Sequence, residues 1–169
     1  MAKYIAFLRG INVGNIRIKM SDLQAAFEDL NYSSVKTYLQ TGNVVFESNS
    51  EMADTKLTIE QKLTQTFHYE AFVLLSLHEN LSGIIKNYPF EQSDTHHAYV
   101  IFVEKKNVLE ELKILSEKMN EEITFGENCI YWKVEKGSTL HTTFAKTIAK
   151  AKYKSVTTMR NINTLEKIL

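Results

Sequence analysis

The apolar positions of the chain recur with two spacings in turn, and their order predicts a fold. Lys3 to Leu8 holds the continuous run YIAFL bounded by charge and glycine, the pattern of a fully buried strand. Leu23, Ala26, Phe27 and Leu30 follow with helical spacing, and Ser21 with Gln24 reads as a capping box that starts this helix. VKTYLQ and VVFES flank TGN as a hairpin, with Val35, Thr37 and Leu39 alternating against Lys36, Tyr38 and Gln40. Ile59, Leu63 and Phe67 recur every fourth residue and mark a second helix, and Phe72 to Leu77 closes the unit as a strand. Strand, helix, strand, strand, helix, strand is the split βαβ or ferredoxin-like order.

A linking helix is predicted over Glu79 to Asn87, with Leu81, Ile84 and Ile85 facing inward. It stops at Tyr88-Pro89-Phe90, because the proline ring disfavours helix in the residue before it. The polar stretch Glu91 to His96 is the candidate linker. The first pattern then repeats in outline. Ala98 to Val103 reads as a buried strand, Val108, Leu112, Leu115 and Met119 mark a helix, and ITF, GEN and CIYWKV form a second hairpin. Leu140, Phe144 and Ile148 mark a further helix with Lys146 and Lys150 outward, KSVTTM reads as the closing strand, and a short helix begins near Asn161. The expected organisation is α+β: a first ferredoxin-like half over residues 1–78, a linking helix and linker over 79–95, and a second such half with its terminal helix over 96–169. A single continuous sheet is the alternative.

Composition narrows the function classes. The 169 residues, 44% hydrophobic and 11% aromatic, are those of an ordinary globular chain. Twenty basic and twenty acidic side chains cancel, so the global positive field that captures nucleic acid without sequence preference is missing. Cys129 is the only cysteine, which excludes an internal disulfide and suits a reducing compartment, so the cytoplasm is expected. The apolar run in MAKYIAFLRG is too short for a signal-peptide core, and no segment approaches the roughly 20 apolar residues of a membrane span.

The charges are unevenly placed. Residues 1–21 carry four cations and no acid, residues 132–169 have a net charge of +6, and the segment between them has a net charge of −10. The cations of the first end surround a glycine loop, RGINVGNIRIKMS. The predicted sheet order, 4-1-3-2, places the end of the first strand at the edge where the hairpin turns, and the first helix starts there too. Arg9, Gly10, Asn12, Gly14, Arg17, Lys19 and Ser21 should therefore neighbour Gln40, Thr41, Gly42 and Asn43. Glycines let the backbone turn with amides exposed, and a helix start flanked by cations suits phosphate or carboxylate. Arg160 and Asn161 join the candidate set through the second basic end. Purely structural alternatives stand beside this: an Arg9 to Asp22 tie, Gly42-Asn43 as a turn device, and Arg17 and Lys19 as one face of an extended flap.

Other chemistries fare worse. The loop is no P-loop, since no GK[ST] follows and neither Gly10 nor Gly14 belongs to GxGxxG. His96 and His97 lack a partner at ligand spacing, His68, His78 and His141 are isolated, and no metal site is expected. Glu110-Glu111 and Glu121-Glu122 read as solvated helix faces, Cys129 as buried, and Trp132 and Tyr131 as opposite faces of one strand. No GxSxG, HExxH or evident triad is present.

RGINVGN with KM and a helix, TYLQTGNVVFES and the terminal TMRNINTLEKIL together resemble the bacterial domain-of-unknown-function family 1697, and NYPF resembles its Asn-x-Pro-Phe element. The family pattern has Gly where this chain has Asn15, and often an aromatic residue where it has Ile162. The resemblance implies a two-part α+β fold and brings no established activity, cofactor or catalytic residue. The leading functional expectation is therefore an anionic small molecule, a nucleotide or phosphate ester, held at the Gly10 to Ser21 loop. The second is an assembly module in which the polar loop and tail act as a structural lock, and the third is RNA contact through an open sheet face. Tight binding of generic RNA is not expected of a chain with zero net charge.

Overall fold

The computed structural model describes Met1–Leu169 and holds two compact units, one of residues 1–82 with 167–169 and one of residues 83–166. In the first unit, β1 (Ala2–Leu8), α1 (Met20–Glu28), β2 (Ser33–Tyr38), β3 (Asn43–Ser48), α2 (Met52–Phe67) and β4 (Val73–Leu77) follow in turn. The sheet order is β2-β3-β1-β4, with every neighbouring pair antiparallel. This is the ferredoxin-like topology that the spacing of apolar residues implied. β1 is central, and its run from Tyr4 to Leu8 is buried on both faces. Tyr4, Ala6 and Leu8 enter a core with Leu23 and Phe27 of α1, Phe46 of β3, and Ile59 and Leu63 of α2. Phe27 meets Phe46 edge-on at 5.3 Å, and Tyr32 stacks on Phe46 at 4.8 Å.

The free edge at the start of β4 is stitched by charge. Lys56 donates to the Glu60 carboxylate and, at 2.8 Å, to the carbonyl of Val73, while the Val73 amide donates to the same Glu60 oxygen at 3.1 Å. A helical i,i+4 ion pair thereby also satisfies both backbone groups of one edge residue.

The start of α1 differs from the sequence reading. Lys19, not Ser21, occupies the N-cap position, and no side chain caps the helix. Ile18 is buried, so the chain stays extended through Lys19 and turns helical at Met20. Ser21 consequently lies within the first turn, exposed, and Gln24 donates along the helix to Glu28 at 3.0 Å instead of reaching back.

In the second unit, α3 (Leu81–Lys86), which starts at the unit boundary after a 3-10 turn at His78–Asn80, leads to β5 (His96–Val103), α4 (Lys106–Ser116), β6 (Glu122–Phe125) and β7 (Cys129–Glu135). Then come α5 (Thr143–Ile148), α6 (Ala151–Lys154), β8 (Thr157–Asn161) and α7 (Ile162–Ile168), whose last two residues count with the first unit. The order β6-β7-β5-β8 repeats the first sheet's topology, again antiparallel throughout. Trp132, Phe144, Leu112, Ile101 and Tyr153 centre its core. The NYPF element is a packing device: the Tyr88 ring meets Tyr131 edge-on at 5.9 Å, and the Tyr131 hydroxyl donates to the Ile84 carbonyl at 2.8 Å.

Four local features differ from the sequence expectation. Leu115 is 40% exposed, because the buried stripe of α4 runs through Val108, Leu109 and Leu112 and leaves Leu115 at its margin in the last turn. Leu140 is 79% exposed and precedes the helix, since a turn closed by the His141 amide on the Ser138 carbonyl delays α5 until Thr142 caps it through the Ala145 amide. Glu121 belongs to no solvated helix face. Its carboxylate accepts from the Trp132 indole at 3.3 Å and the Phe144 amide at 2.9 Å, tying β7 to the start of α5. The helix after Phe144 is also shorter than one continuous element, with α6 a separate turn anchored by buried Tyr153.

Candidate functional site

The loop that follows β1 is shaped by three left-handed residues, Gly10 at φ +66°, Asn12 at +56° and Gly14 at +60°. Between them, the Asn12 amide donates to the Ile16 carbonyl at 2.7 Å and Val13 bridges to Ile16, which folds the chain back on itself. Ile11 and Ile18 point into the core, leaving Gly14, Arg17 and Lys19 exposed. Asparagine tolerates the left-handed region, and this one has a further use. Its Oδ1 accepts from the Ile18 amide at 3.0 Å, and its Nδ2 donates to the Ile18 carbonyl at 3.2 Å and to the Gln40 carbonyl at 2.7 Å. The Asn12 side chain therefore acts like a strand residue pairing with Ile18, and also pins the loop to the hairpin turn.

The hairpin side is equally constrained. The Leu8 amide donates to the Gly42 carbonyl at 2.8 Å, and Phe7 pairs with Asn43. Gly42 has φ +84°, and a Cβ there would lie 2.6 Å from Ile11 Cδ1 and 2.9 Å from Leu8 Cβ. Asn43 is fully buried, with Nδ2 donating to the Tyr38 carbonyl and the Thr41 hydroxyl, both at 2.8 Å. Gly42 and Asn43 thus shape the turn, while Gln40 and Thr41 remain exposed at its tip.

The electrostatics of the loop come from four groups. Arg9 is half-buried, and burial pulls its guanidinium below the ordinary arginine value. It stays charged, as arginine does throughout the accessible range. Arg17 and Lys19 are exposed cations at the approach to α1, and Asp22 in the first helical turn is the one acid beside them. The Asp22 and Leu23 amides donate to the Lys19 carbonyl at 3.1 and 3.0 Å, which leaves the Met20 and Ser21 amides as the donors at the helix start. Such amides carry partial positive charge, so this start flanked by cations favours an anion.

Arg160 and Asn161 sit in the second unit, at the end of β8. Arg160 is 8% exposed and donates to the Thr158 hydroxyl at 2.8 Å and the Met159 carbonyl at 2.9 Å. Asn161 accepts from the Asn163 amide at 2.9 Å and so caps the first turn of α7. The same unit holds a polar cleft of about 790 Å³ lined by residues of the linker, β5, β7 and the start of α7. Of the sequence candidates only Asn161 lines it. Its other residues come from three separated segments that no single motif joins. No three His, Cys, Asp or Glu side chains cluster as a metal site would need, and no helix is long and apolar enough to cross a membrane.

Two antiparallel sheets of the same split topology define a tandem ferredoxin-like α+β protein. It belongs to the family described as a protein of unknown function, DUF1697, whose model matches residues 1–131. Among solved structures, the conserved bacterial protein SP0830 from Streptococcus pneumoniae is similar, with 23% identity and a TM-score of 0.80 over 99% of this chain and 96% of that one. At that identity the likeness shows the fold. No match exists among curated proteins.

Proposed function

We propose that the Gly10 to Ser21 loop receives an anionic small molecule, a nucleotide or phosphate ester. The observation that carries this reading is the start of α1: no side chain caps it, and the exposed Arg17 and Lys19 flank it on a loop whose shape Asn12 fixes. Half-buried Arg9 adds a further positive charge, and the exposed tip residue Gln40 a side-chain amide, at the same sheet edge. Gly10 and Gly14 keep side chains out of the approach. The single buried Cys129 accords with a reducing compartment, the cytoplasm.

A second reading, a structural lock in an assembly module, is favoured by the internal hydrogen bonds of Asn12 and Asn43. Thermal shift separates the two. Inorganic phosphate, AMP and glucose 6-phosphate are added at matched ionic strength to the wild type and to Arg17→Ala and Lys19→Ala. Saturation at about 100 times the dissociation constant adds roughly 2.7 kcal/mol to stability, a readily visible rise in Tm. The anion reading expects a rise in the wild type that both variants diminish. No rise with any of the three, together with a Tm lowered in Asn43→Ala but unmoved in Arg17→Ala and Lys19→Ala, would support the lock instead.

A further inference from the structure

We propose that the second unit carries a separate binding cleft for a compact polar metabolite with an anionic head and hydrogen-bond donors elsewhere, such as an amino acid or a sugar phosphate. The cleft, about 790 Å³, opens where β5 begins and β7 ends, beside the first turn of α7. Its size is that of small-molecule sites, but its lining is not apolar: Ala98 is the only hydrophobic residue in it. A lipid or aromatic ligand finds little to bury there, whereas a polar one finds complementary groups.

The cleft is built in advance of any ligand. The Lys136 amide donates to the Thr95 carbonyl at 2.9 Å, which fastens the linker to the end of β7. The Ser93 and Thr95 hydroxyls lie 2.8 Å apart, the Thr95 amide donates to Ser93 Oγ at 3.2 Å, and His96 Nδ1 lies 2.9 Å from Thr95 Oγ1. The segment before β5 is therefore laced to itself and to the strand, and the His96 ring is oriented with Nε2 left over. His97 is held by its neighbour Tyr99, with ring centroids 5.2 Å apart. Room at the sheet end arises because Ala98, a methyl group, stands opposite Lys133 in the β5–β7 register.

The charges lining the cleft are segregated by element. Lys133 and Lys136 come from β7 and the residue just beyond it, and Glu91 and Asp94 from the linker. Lys133 is half-buried within β7 whereas Lys136, just beyond its end, is exposed, so Lys136 is the more accessible anchor for an anion. Asn161 offers Nδ2 as a donor, because its Oδ1 is engaged by the Asn163 amide. The carboxylates accept hydrogen bonds and repel anions, so an anion lacking donors satisfies only half of the site. An anionic head toward Lys136 with hydroxyl or ammonium groups toward Glu91 and Asp94 satisfies both.

The test is amide-resolved NMR of the full chain at pH 7 and constant ionic strength, titrated separately with glutamate, glucose 6-phosphate, inorganic phosphate and glycerol. Glutamate or glucose 6-phosphate should give saturable shifts at residues 93–98, 133–136 and 161–163, and Lys136→Glu should weaken that binding roughly tenfold. Arg17→Ala, in the first unit, should leave it unchanged. The proposal is overturned if neither compound saturates these resonances below about 20 mM, in the weak range where dissociation constants exceed the millimolar level. It is equally overturned if Lys136→Glu binds as the wild type does, if phosphate alone binds as tightly as glucose 6-phosphate and glutamate, or if the shifts fall only at residues 10–21.

Discussion

Asn12 Nδ2 donates to the main-chain carbonyl of Gln40 at 2.7 Å, so one side chain joins the glycine loop to the hairpin turn across 28 residues of sequence. The same amide group pairs with both backbone groups of Ile18. The approach to α1 is thereby fixed from two sides, and Arg17 and Lys19 are presented to solvent on a shaped backbone.

Replacement of Asn12 separates side-chain bonding from backbone strain. Asn12→Gly keeps the left-handed conformation and loses the three hydrogen bonds, and should cost about 1–3 kcal/mol. Asn12→Ala adds the left-handed penalty of roughly 1–2 kcal/mol. Urea unfolding midpoints should fall in the order wild type, Gly, Ala; an Ala variant as stable as the Gly variant would contradict the geometry.

Gly42→Ala tests the tightest contact of the turn. The new methyl would meet Ile11 and Leu8 inside 3.0 Å at φ +84°. Overpacking and the left-handed backbone together should cost about 2–4 kcal/mol. Thermal unfolding of this variant should show a Tm several degrees lower, while Gly14→Ala, where a Cβ meets nothing within 4 Å, should show only the backbone penalty.

How much of this was legible in the sequence depends on the scale of the feature. Element order and sheet topology could be read, because burial of YIAFL, VVFES and their counterparts leaves a strong periodic signal. The closeness of Arg9 and Gly10 to the Gly42 turn followed from topology alone. The start of α1 did not, since a serine–glutamine pair at capping spacing is a local cue, and the burial of Ile18 overrides it. Glu121 read as one of two adjacent surface acids, and nothing in the pair reveals that one carboxylate reaches the indole of Trp132. The cleft of the second unit was invisible for a related reason: its cations and carboxylates lie on segments that only folding brings together.

Glu121→Ala should expose the consequence of that tie. It leaves the Trp132 indole and the Phe144 amide without their acceptor, and each unpaired buried donor costs about 1–3 kcal/mol. Trp132 is the only tryptophan, so its emission follows the site directly. Urea titration read by fluorescence should show a midpoint well below that of the wild type; an unchanged midpoint would mean that the carboxylate contributes little.

Tyr69 gives the pH dependence. Burial pushes its phenol up to about 12, and its buried hydroxyl has no hydrogen-bond partner. The unfolded chain ionises near the ordinary value of about 10, so the folded state holds this proton more tightly. The contribution to stability is fully present below pH 10 and is lost as pH rises from about 10 to 12. Tyr69→Phe should be at least as stable as the wild type at pH 8 and should lose less stability between pH 10 and 11 in circular-dichroism melts. A variant that follows the wild-type alkaline decline would assign that decline to other groups, beginning with Tyr88, whose phenol is also raised to about 12.

The central claim, an anion at the Gly10 to Ser21 loop, is tested most directly by crystals grown without phosphate or sulfate and soaked in tungstate, a heavy tetrahedral oxyanion. The account predicts an anomalous peak within reach of the first amides of α1 and of Arg17 or Lys19, lost in the Arg17→Ala, Lys19→Ala double variant. Occupied tungstate elsewhere on the protein with none at this loop, in crystals where the loop is open to solvent, would contradict it.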